Sequence, residues 1–143
     1  MNAQKSIVSI LFLSSLFIFL GLNPSINNPQ QKPKGPWVVP ADKSATANPF
    51  AGNVKSTDEG RTVFNSYCYP CHGMTGEGNG PSATQLIPKP ANLSSKQVQS
   101  QTDGSIFWKI STGRGQMAAW QQIISEKQRW ALVNFIRHLG TKK

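Results

Sequence analysis

The sequence is poor in side chains that bind metals or form cross-links. It contains two cysteines, Cys68 and Cys71, and two histidines, His72 and His138. A disulfide across the two-residue gap would be strained and would close almost no loop, so it would stabilise the chain little. A structural zinc site needs four ligands, and it would have to use all four of these side chains. Neither use of the cysteines is favoured.

Strand patterns and clustered positive charge are also missing. Around Cys68 there is no run of alternating or continuous β-branched residues, which disfavours a thioredoxin-like C-x-x-C pair within a βαβ unit. The chain has 15 basic and six acidic residues and a net charge of +9. The basic residues are scattered and no recognition motif is present, so no nucleic-acid partner is expected. A mild positive field instead suits an acidic protein partner or an anionic membrane surface.

Both cysteines stand in the pentad Cys68-Tyr69-Pro70-Cys71-His72. This C-x-x-C-H pattern is typical of covalent haem attachment. Two thiols three positions apart on one turn can each add to one vinyl group of a haem, and the next imidazole can then ligate the iron. The pentad predicts one haem c bound covalently through Cys68 and Cys71, with His72 as an axial ligand.

Met117 is the predicted second axial ligand. Of the other methionines, Met1 begins the N-terminal apolar segment and Met74 is too close to His72 to reach the opposite face. Glycines around Met117 allow a close backbone approach to a planar cofactor. His138 is the rival ligand, although a surface position near a helix C-terminus is its other interpretation. Ligation by His and Met leaves no open position on the iron, which favours electron transfer over oxygen activation.

Residues 1–22 are predicted to be a signal peptide or an N-terminal membrane anchor. Ser6 to Leu22 is uncharged and mostly apolar, and Lys5 precedes it. No A-x-A-like cleavage site follows, so a retained anchor is favoured. Haem is attached to such pentads outside the cytoplasm. The protein is therefore expected on the periplasmic side of the cytoplasmic membrane, or soluble in the periplasm if the segment is cleaved.

Residues 23–51 are predicted to be a linker. Six of the ten prolines fall there, and Pro-rich polar composition favours an extended chain over a helix. Trp37, Val39 and Phe50 make parts of the segment too apolar for a pure spacer. Part of it is therefore expected to lie against the folded domain.

Helix caps divide the predicted haem domain, residues 52–143, into three helices. Capping boxes precede the first and third helices, and a threonine precedes the second. The predicted N-caps are Ser56, Thr102 and Ser125. The second helix should end near Gly113 and the third at Gly140. A domain this small, with a Gly/Pro-rich loop over residues 73–92, has little core of its own, so the haem-free form is predicted to be poorly folded.

The chain resembles the class I c-type cytochromes, in particular the small mono-haem domains of bacterial electron-transport chains. The likeness covers roughly residues 57–141. Besides the pentad, it is carried by Gly76-Glu77-Gly78-Asn79-Gly80-Pro81, Pro88-Lys89-Pro90-Ala91-Asn92-Leu93, Asp103-Gly104-Ser105-Ile106-Phe107-Trp108, Met117-Ala118-Ala119-Trp120 and Arg129-Trp130-Ala131-Leu132-Val133-Asn134-Phe135-Ile136-Arg137. The resemblance implies an all-α class I cytochrome c fold, with three or more helices wrapped around one covalently bound haem c.

The resemblance also implies roles for single residues. The Pro81 carbonyl would accept the His72 Nδ1–H and fix the imidazole tautomer. Gly60 and Phe64 on the first helix would meet the last helix near Phe135. In the family a proline often follows the methionine ligand, whereas Ala118 follows here, which would loosen the ligand loop.

The predicted function is single-electron transfer in a bacterial respiratory or photosynthetic chain. The protein would be an electron carrier and not an enzyme, with no small-molecule substrate and with redox protein partners that have acidic docking surfaces. Two alternatives remain open. One is a permanent haem subunit of a larger membrane redox complex, and the other is a haem-based sensor or peroxidase with a labile sixth ligand.

Overall fold

The computed structural model describes residues 35–141. The predicted anchor, residues 1–22, and the first part of the predicted linker, residues 23–34, lie outside the described residues. Among the helices of residues 35–141, none is long and apolar enough to cross a membrane.

Over the described range the chain forms six α-helices and two short 3₁₀ turns. The helices are α1 (Ala41–Ser44), α2 (Val54–Tyr67), α3 (Tyr69–His72), α4 (Lys96–Gln99), α5 (Asp103–Thr112) and α6 (Glu126–Thr141), and the 3₁₀ turns are Ala83–Gln85 and Trp120–Gln122. The all-α fold predicted from the sequence is confirmed. The three long helices are the three predicted ones, while the short helices and turns were not predicted.

The centre of the fold is the contact between α2 and α6. A Cβ atom on Gly60 would collide with the backbone carbonyl of Ala131, so glycine is what lets the two helices approach. One turn further along, the rings of Phe64 and Phe135 meet with their centroids 5.1 Å apart. The predicted meeting of Gly60 and Phe64 with the Phe135 region is therefore confirmed.

The hydrophobic core extends from this contact to α5. Phe64, Leu132 and Val133 are the largest fully buried side chains. The ring of Phe107 on α5 stacks on that of Trp130 on α6, with centroids 3.9 Å apart. The three long helices therefore share one continuous core.

Helix caps agree with the sequence at two of the three predicted starts. Thr102 accepts a hydrogen bond from Ser105 N, and the hydroxyl of Ser125 accepts one from Gln128 N, so both predicted caps are confirmed. The first prediction, Ser56, was wrong. Asn53 caps α2 instead, because its side-chain oxygen accepts the Ser56 N–H at 2.9 Å.

The end of α6 also differs from the prediction, because Gly140 lies inside the helix. A Cβ at this position would collide with the side chain of Gln99. That amide donates to the carbonyls of Leu93, at 2.7 Å, and Ile136, at 2.9 Å. Gly140 therefore makes room for a bridging glutamine one residue before the described helix ends.

The described part of the N-terminal segment lies against the helices, as expected. Gly104 on α5 sits under α1, where a Cβ would collide with the Lys43 carbonyl. The side-chain amide of Asn48 donates to Asp103 on α5, at 2.9 Å, and to Asn134 on α6, at 2.8 Å. Polar groups thus fasten residues 41–48 to both helices.

Candidate functional site

The pentad forms the turn that follows α2. Cys68 N donates to Phe64 O at 2.8 Å, which completes the last turn of α2. Cys68 O then accepts from Cys71 N at 3.2 Å and from His72 N at 2.9 Å. Both thiols are free and half-buried on one short turn, next to the imidazole. The structure therefore brings together Cys68, Cys71 and His72.

A glycine-rich loop folds back over this turn and pairs with its carbonyl groups. Gly78 N donates to His72 O at 2.8 Å, and Gly80 N donates to Cys71 O at 3.1 Å. Gly80 lies so close that a Cβ there would collide with the Pro70 carbonyl. The loop fixes the backbone that carries the thiols and the imidazole.

The His72 imidazole is held by a backbone carbonyl. Its Nδ1 lies 3.1 Å from Ala91 O. Burial lowers the pKa of His72, and the bond to Ala91 opposes this shift only in part. A neutral imidazole that donates from Nδ1 presents the lone pair of Nε2, which is the form that ligates a metal.

The structure pairs His72 with Ala91 O and not with the predicted carbonyl of Pro81, and a role of Pro81 beside the haem stays a prediction. Pro81 is exposed, and its neighbours Gly80 and Ser82 hydrogen-bond along the backbone of the pentad turn. The carbonyl beside His72 comes from a later part of the loop. A Cβ on Gly78 would collide with Pro90 O, so this glycine lets the next residue, Ala91, reach the imidazole. The stretch Pro88-Lys89-Pro90-Ala91-Asn92-Leu93, already part of the resemblance, was the signal that could have found Ala91.

Burial also acts on Cys68. It raises the pKa of this thiol to about 12, and the charge of Cys71 adds to the effect. The Cys68 sulfur is therefore protonated and uncharged near neutral pH. A thioether is uncharged at every pH, so conversion to a thioether suits this environment.

Met117 lies on a separate, tightly folded loop. Arg114 and Met117 exchange two backbone hydrogen bonds, Arg114 N to Met117 O at 2.9 Å and Met117 N to Arg114 O at 3.1 Å. Gly113, with a φ of 61°, ends α5, and a Cβ there would collide with Met117 O. Met117 itself is half-buried and packs against the core.

Two contacts join the Met117 loop to the pentad side of the molecule. The side chain of Gln116 accepts a hydrogen bond from Ile87 N at 2.9 Å. The ring of Trp120, three residues after Met117, lies 5.5 Å from that of Tyr67, which immediately precedes Cys68. The structure therefore places the methionine loop beside the end of α2 where the cysteines begin.

His138, the rival ligand, lies elsewhere. Its ring stacks near that of Phe135 on the same helix, and it borders a shallow pocket together with Thr57. Thr57 is eleven residues before Cys68, about 16 Å along an α-helix. This position agrees with the surface interpretation of His138.

The chemistry of these residues fits a haem. Two half-buried thiols and an imidazole with a free Nε2 share one turn. Apolar side chains that pack on the core and are only partly buried lie around that turn and the methionine loop. They are Cys68, Tyr69, Met117 and Trp120. A flat apolar macrocycle with a central iron suits such surroundings.

Comparison with known protein families decides the assignment. The family described as cytochrome c oxidase, cbb3-type, subunit III matches residues 55–136. The chain belongs to this family. It is a small class I c-type cytochrome, and a cytochrome c domain implies haem c.

Solved structures share the cytochrome fold. A chain of the reducing HAO-like protein complex of Kuenenia stuttgartiensis has a TM-score of 0.55 and 22% identity, over 60% of this cytochrome and 44% of that chain. Cytochrome cL of the marine methylotrophic bacterium Methylophaga aminisulfidivorans has a TM-score of 0.50 and 18% identity, over 62% of this cytochrome and 58% of that chain. The cytochrome thus spans less than two thirds of either protein. No curated protein matches the sequence.

Proposed function

We propose that the chain is a mono-haem cytochrome c that transfers single electrons with His72 and Met117 as axial ligands. Cys68 and Cys71 would carry the two thioether bonds. When bound, haem takes up and releases one electron at its iron. The protein would hold it by two sulfurs, orient it through the His72 imidazole and keep water from its apolar faces.

The observation that carries this proposal is the state of His72. Its Nδ1 is engaged by Ala91 O at 3.1 Å, and burial lowers its pKa. Both effects favour the neutral tautomer with Nε2 available for iron. Cys71 directly precedes His72, so a haem attached to Cys71 by a thioether would have its iron close to Nε2.

Met117 is supported as the second ligand by the contacts of its loop. The Tyr67–Trp120 contact brings the loop next to the pentad, and the Gln116–Ile87 bond fixes it from the other side. A thioether ligand raises the reduction potential, and a filled sixth position disfavours oxygen activation. Single-electron exchange is the chemistry that such a pair of ligands suits.

The proposed setting is the periplasmic side of a bacterial cytoplasmic membrane, in a respiratory or photosynthetic chain. Residues 6–22 would anchor the protein there if they are retained, and otherwise it would be a soluble periplasmic carrier. The net charge of +9 supports redox partners with acidic docking surfaces. No small-molecule substrate is proposed.

A second candidate is a permanent haem subunit of a larger membrane redox complex. The description of the matched family, a subunit of a cbb3-type oxidase, favours it. Both candidates use the same haem residues. Detergent extraction of the native protein followed by native-gel mass analysis separates them, because a free carrier migrates alone and a subunit migrates with its complex.

The ligand assignment is tested by mass spectrometry and absorption of the purified protein. Covalent haem adds its full mass to the chain, and a ferric haem with a thioether ligand shows a weak charge-transfer band at the red end of the spectrum. Met117→Leu should abolish that band, whereas the matched control Met74→Leu, at an exposed methionine, should keep it. A colourless protein would refute the proposal. A high-spin spectrum with rapid carbon monoxide binding in the unmodified protein would instead support a sensor or peroxidase.

A further inference from the structure

The aromatic ring of Trp37 is a shared contact for two cations of the helical domain. Lys109 Nζ lies 5.5 Å from the centre of the ring, and the Arg114 guanidinium carbon lies 5.9 Å from it. The backbone beside the ring takes part as well, since Arg114 Nη2 donates to Gly35 O at 2.8 Å. We call residues 35–39 the strap. The strap therefore grips the side chain of Arg114 at two points.

Arg114 connects the strap to the proposed iron ligand. Its backbone N and O both bond to Met117 in the same tight turn, at 2.9 and 3.1 Å. Arg114 cannot move far without opening these two bonds. Met117 N and O are therefore tied to the backbone of Arg114, and the strap holds the side chain of the same residue from outside the loop.

We propose that Trp37 is a positioning residue for Met117, and that the strap resists opening of the bond between Met117 and the haem iron. This inference rests on the proposed ligation by Met117. The strap reaches across from the N-terminal segment and stabilises the turn in which the thioether is presented. Ala118 follows Met117, so the loop lacks the fixed φ that a proline would give it there. A contact from outside the loop can therefore add to its rigidity.

The two cations beside Trp37 also repel each other. Burial lowers the pKa of Lys109, and the positive charge of Arg114 lowers it further. Lys109 also donates to the side chain of Gln101 at 2.6 Å. Without the ring, Lys109 keeps its bond to Gln101 and Arg114 keeps its bond to Gly35 O, but each cation loses an attractive aromatic face and still faces a like charge. Of the two, Arg114 is the one whose backbone bonds to Met117, so its loss of contact acts on that turn.

The test uses the haem-loaded full chain with the substitution Trp37→Ala. Added imidazole competes with Met117 for the ferric iron, so its apparent affinity reports how easily that bond opens. Because the cation–π contact is lost, imidazole should bind about tenfold more tightly to the variant. The amide of Met117 should also exchange its hydrogen about tenfold faster.

Two control variants change the same N-terminal segment without touching the Met117 loop. Val38→Ala alters the next side chain, which is 72% exposed. Asn48→Ala removes the hydrogen bonds to Asp103 and Asn134, and so destabilises the attachment of the segment at another place. Both should leave the imidazole affinity unchanged. Trp37→Phe keeps an aromatic face and should restore most of the original affinity.

The outcomes are distinguishable. If Trp37→Ala lowers only the melting temperature, and imidazole affinity and Met117 amide exchange stay as in the unmodified protein, Trp37 merely packs and the inference is overturned. If Trp37→Ala does not fold, Arg114→Gln replaces it, with the same tighter binding expected and an unchanged affinity overturning the inference. If Met117→Leu leaves the spectrum of the ferric protein unchanged, the proposed ligation itself fails.

Discussion

The contact between α2 and α6 and the half of the molecule around the pentad are held by different interactions. At the helix contact, Gly60 touches the Ala131 backbone and Phe64 packs on Phe135, all within a buried core. Around the pentad, backbone hydrogen bonds from a glycine-rich loop hold the turn in place. The cysteines and Met117 are only half-buried. The helix contact is packed by protein atoms alone. Around the pentad, apolar side chains stay partly exposed and offer a surface for an apolar group.

The two regions should therefore differ in how much their stability depends on haem. Buried apolar surface stabilises the helix contact whether or not haem is attached. Hydrogen bonds in a partly exposed loop contribute little net free energy of folding, so the pentad half depends on the surface that a haem covers. The effect of a substitution on stability should therefore depend on haem when it lies near the pentad, and much less when it lies at the helix contact.

The largest effect is expected from removing both thiols, with Cys68→Ala and Cys71→Ala. Without covalent haem the pentad half should lose its fixed structure, and cooperative thermal unfolding followed by circular dichroism should disappear. Amides of α2 and α6 should keep more protection from hydrogen exchange than those of residues 73–92. The control pair Asn65→Ala and Ser66→Ala, exposed on α2, should melt normally. A native-like cooperative transition in the thiol-free variant would contradict this prediction.

The next largest effect is expected at the helix contact, with Gly60→Ala. The added Cβ collides with the Ala131 carbonyl, which is backbone and cannot turn away. The free energy of unfolding should fall by about 2–4 kcal/mol despite the better helix propensity of alanine. Denaturant unfolding measures this loss, and hydrogen exchange of α2 and α6 should also rise in the thiol-free background. No loss of stability would mean that the helices are further apart than described.

A smaller effect is expected in the loop over the pentad, with Gly80→Ala. The new Cβ would collide with the Pro70 carbonyl, and the strain should cost about 1–3 kcal/mol in the haem-loaded protein. In the thiol-free background the same change should have almost no effect, because the loop is no longer fixed. Denaturant unfolding measures the loss in the haem-loaded protein, and hydrogen exchange measures it in the thiol-free background, where no cooperative transition is expected. Equal losses in both would show that the loop holds its structure without haem.

The smallest effect is expected at the start of α2, with Asn53→Ala. Loss of the cap to Ser56 N should lower the free energy of unfolding by about 1 kcal/mol, measured by urea denaturation. No measurable loss from Asn53→Ala would contradict the cap that the structure shows at this residue.

The sequence predicted what depends on local chemistry. The pentad and the caps at Thr102 and Ser125 are readable because a few neighbouring residues determine them. The meeting of Gly60 with the last helix was instead implied by the family resemblance. The cap at Asn53 was missed because two overlapping cap patterns compete within six residues, and only the backbone geometry selects between them. The single-residue roles of Met117 and the thiols as haem ligands stay predictions.

Contacts between distant parts of the chain that the family resemblance did not imply could not be predicted. Ala91 lies 19 residues from His72, and its carbonyl reaches the imidazole only because Gly78 makes room for the returning loop. Gly35 lies 79 residues from Arg114. Glycine often ends a helix, but Gly140 also makes room for the side chain of Gln99. In each case the local sequence does not show which distant residue the chain contacts once it has folded.

The loop that closes over the pentad has a consequence for how the protein matures. The amides of Gly78, Gly80 and Ser82 occupy the carbonyls of His72, Cys71 and Pro70, and the thiols beneath are already half-covered. If haem is joined to these sulfurs as proposed, the thiols are easier to reach before the loop folds over the turn. Attachment would then come before closure of the loop, on a chain that is still open.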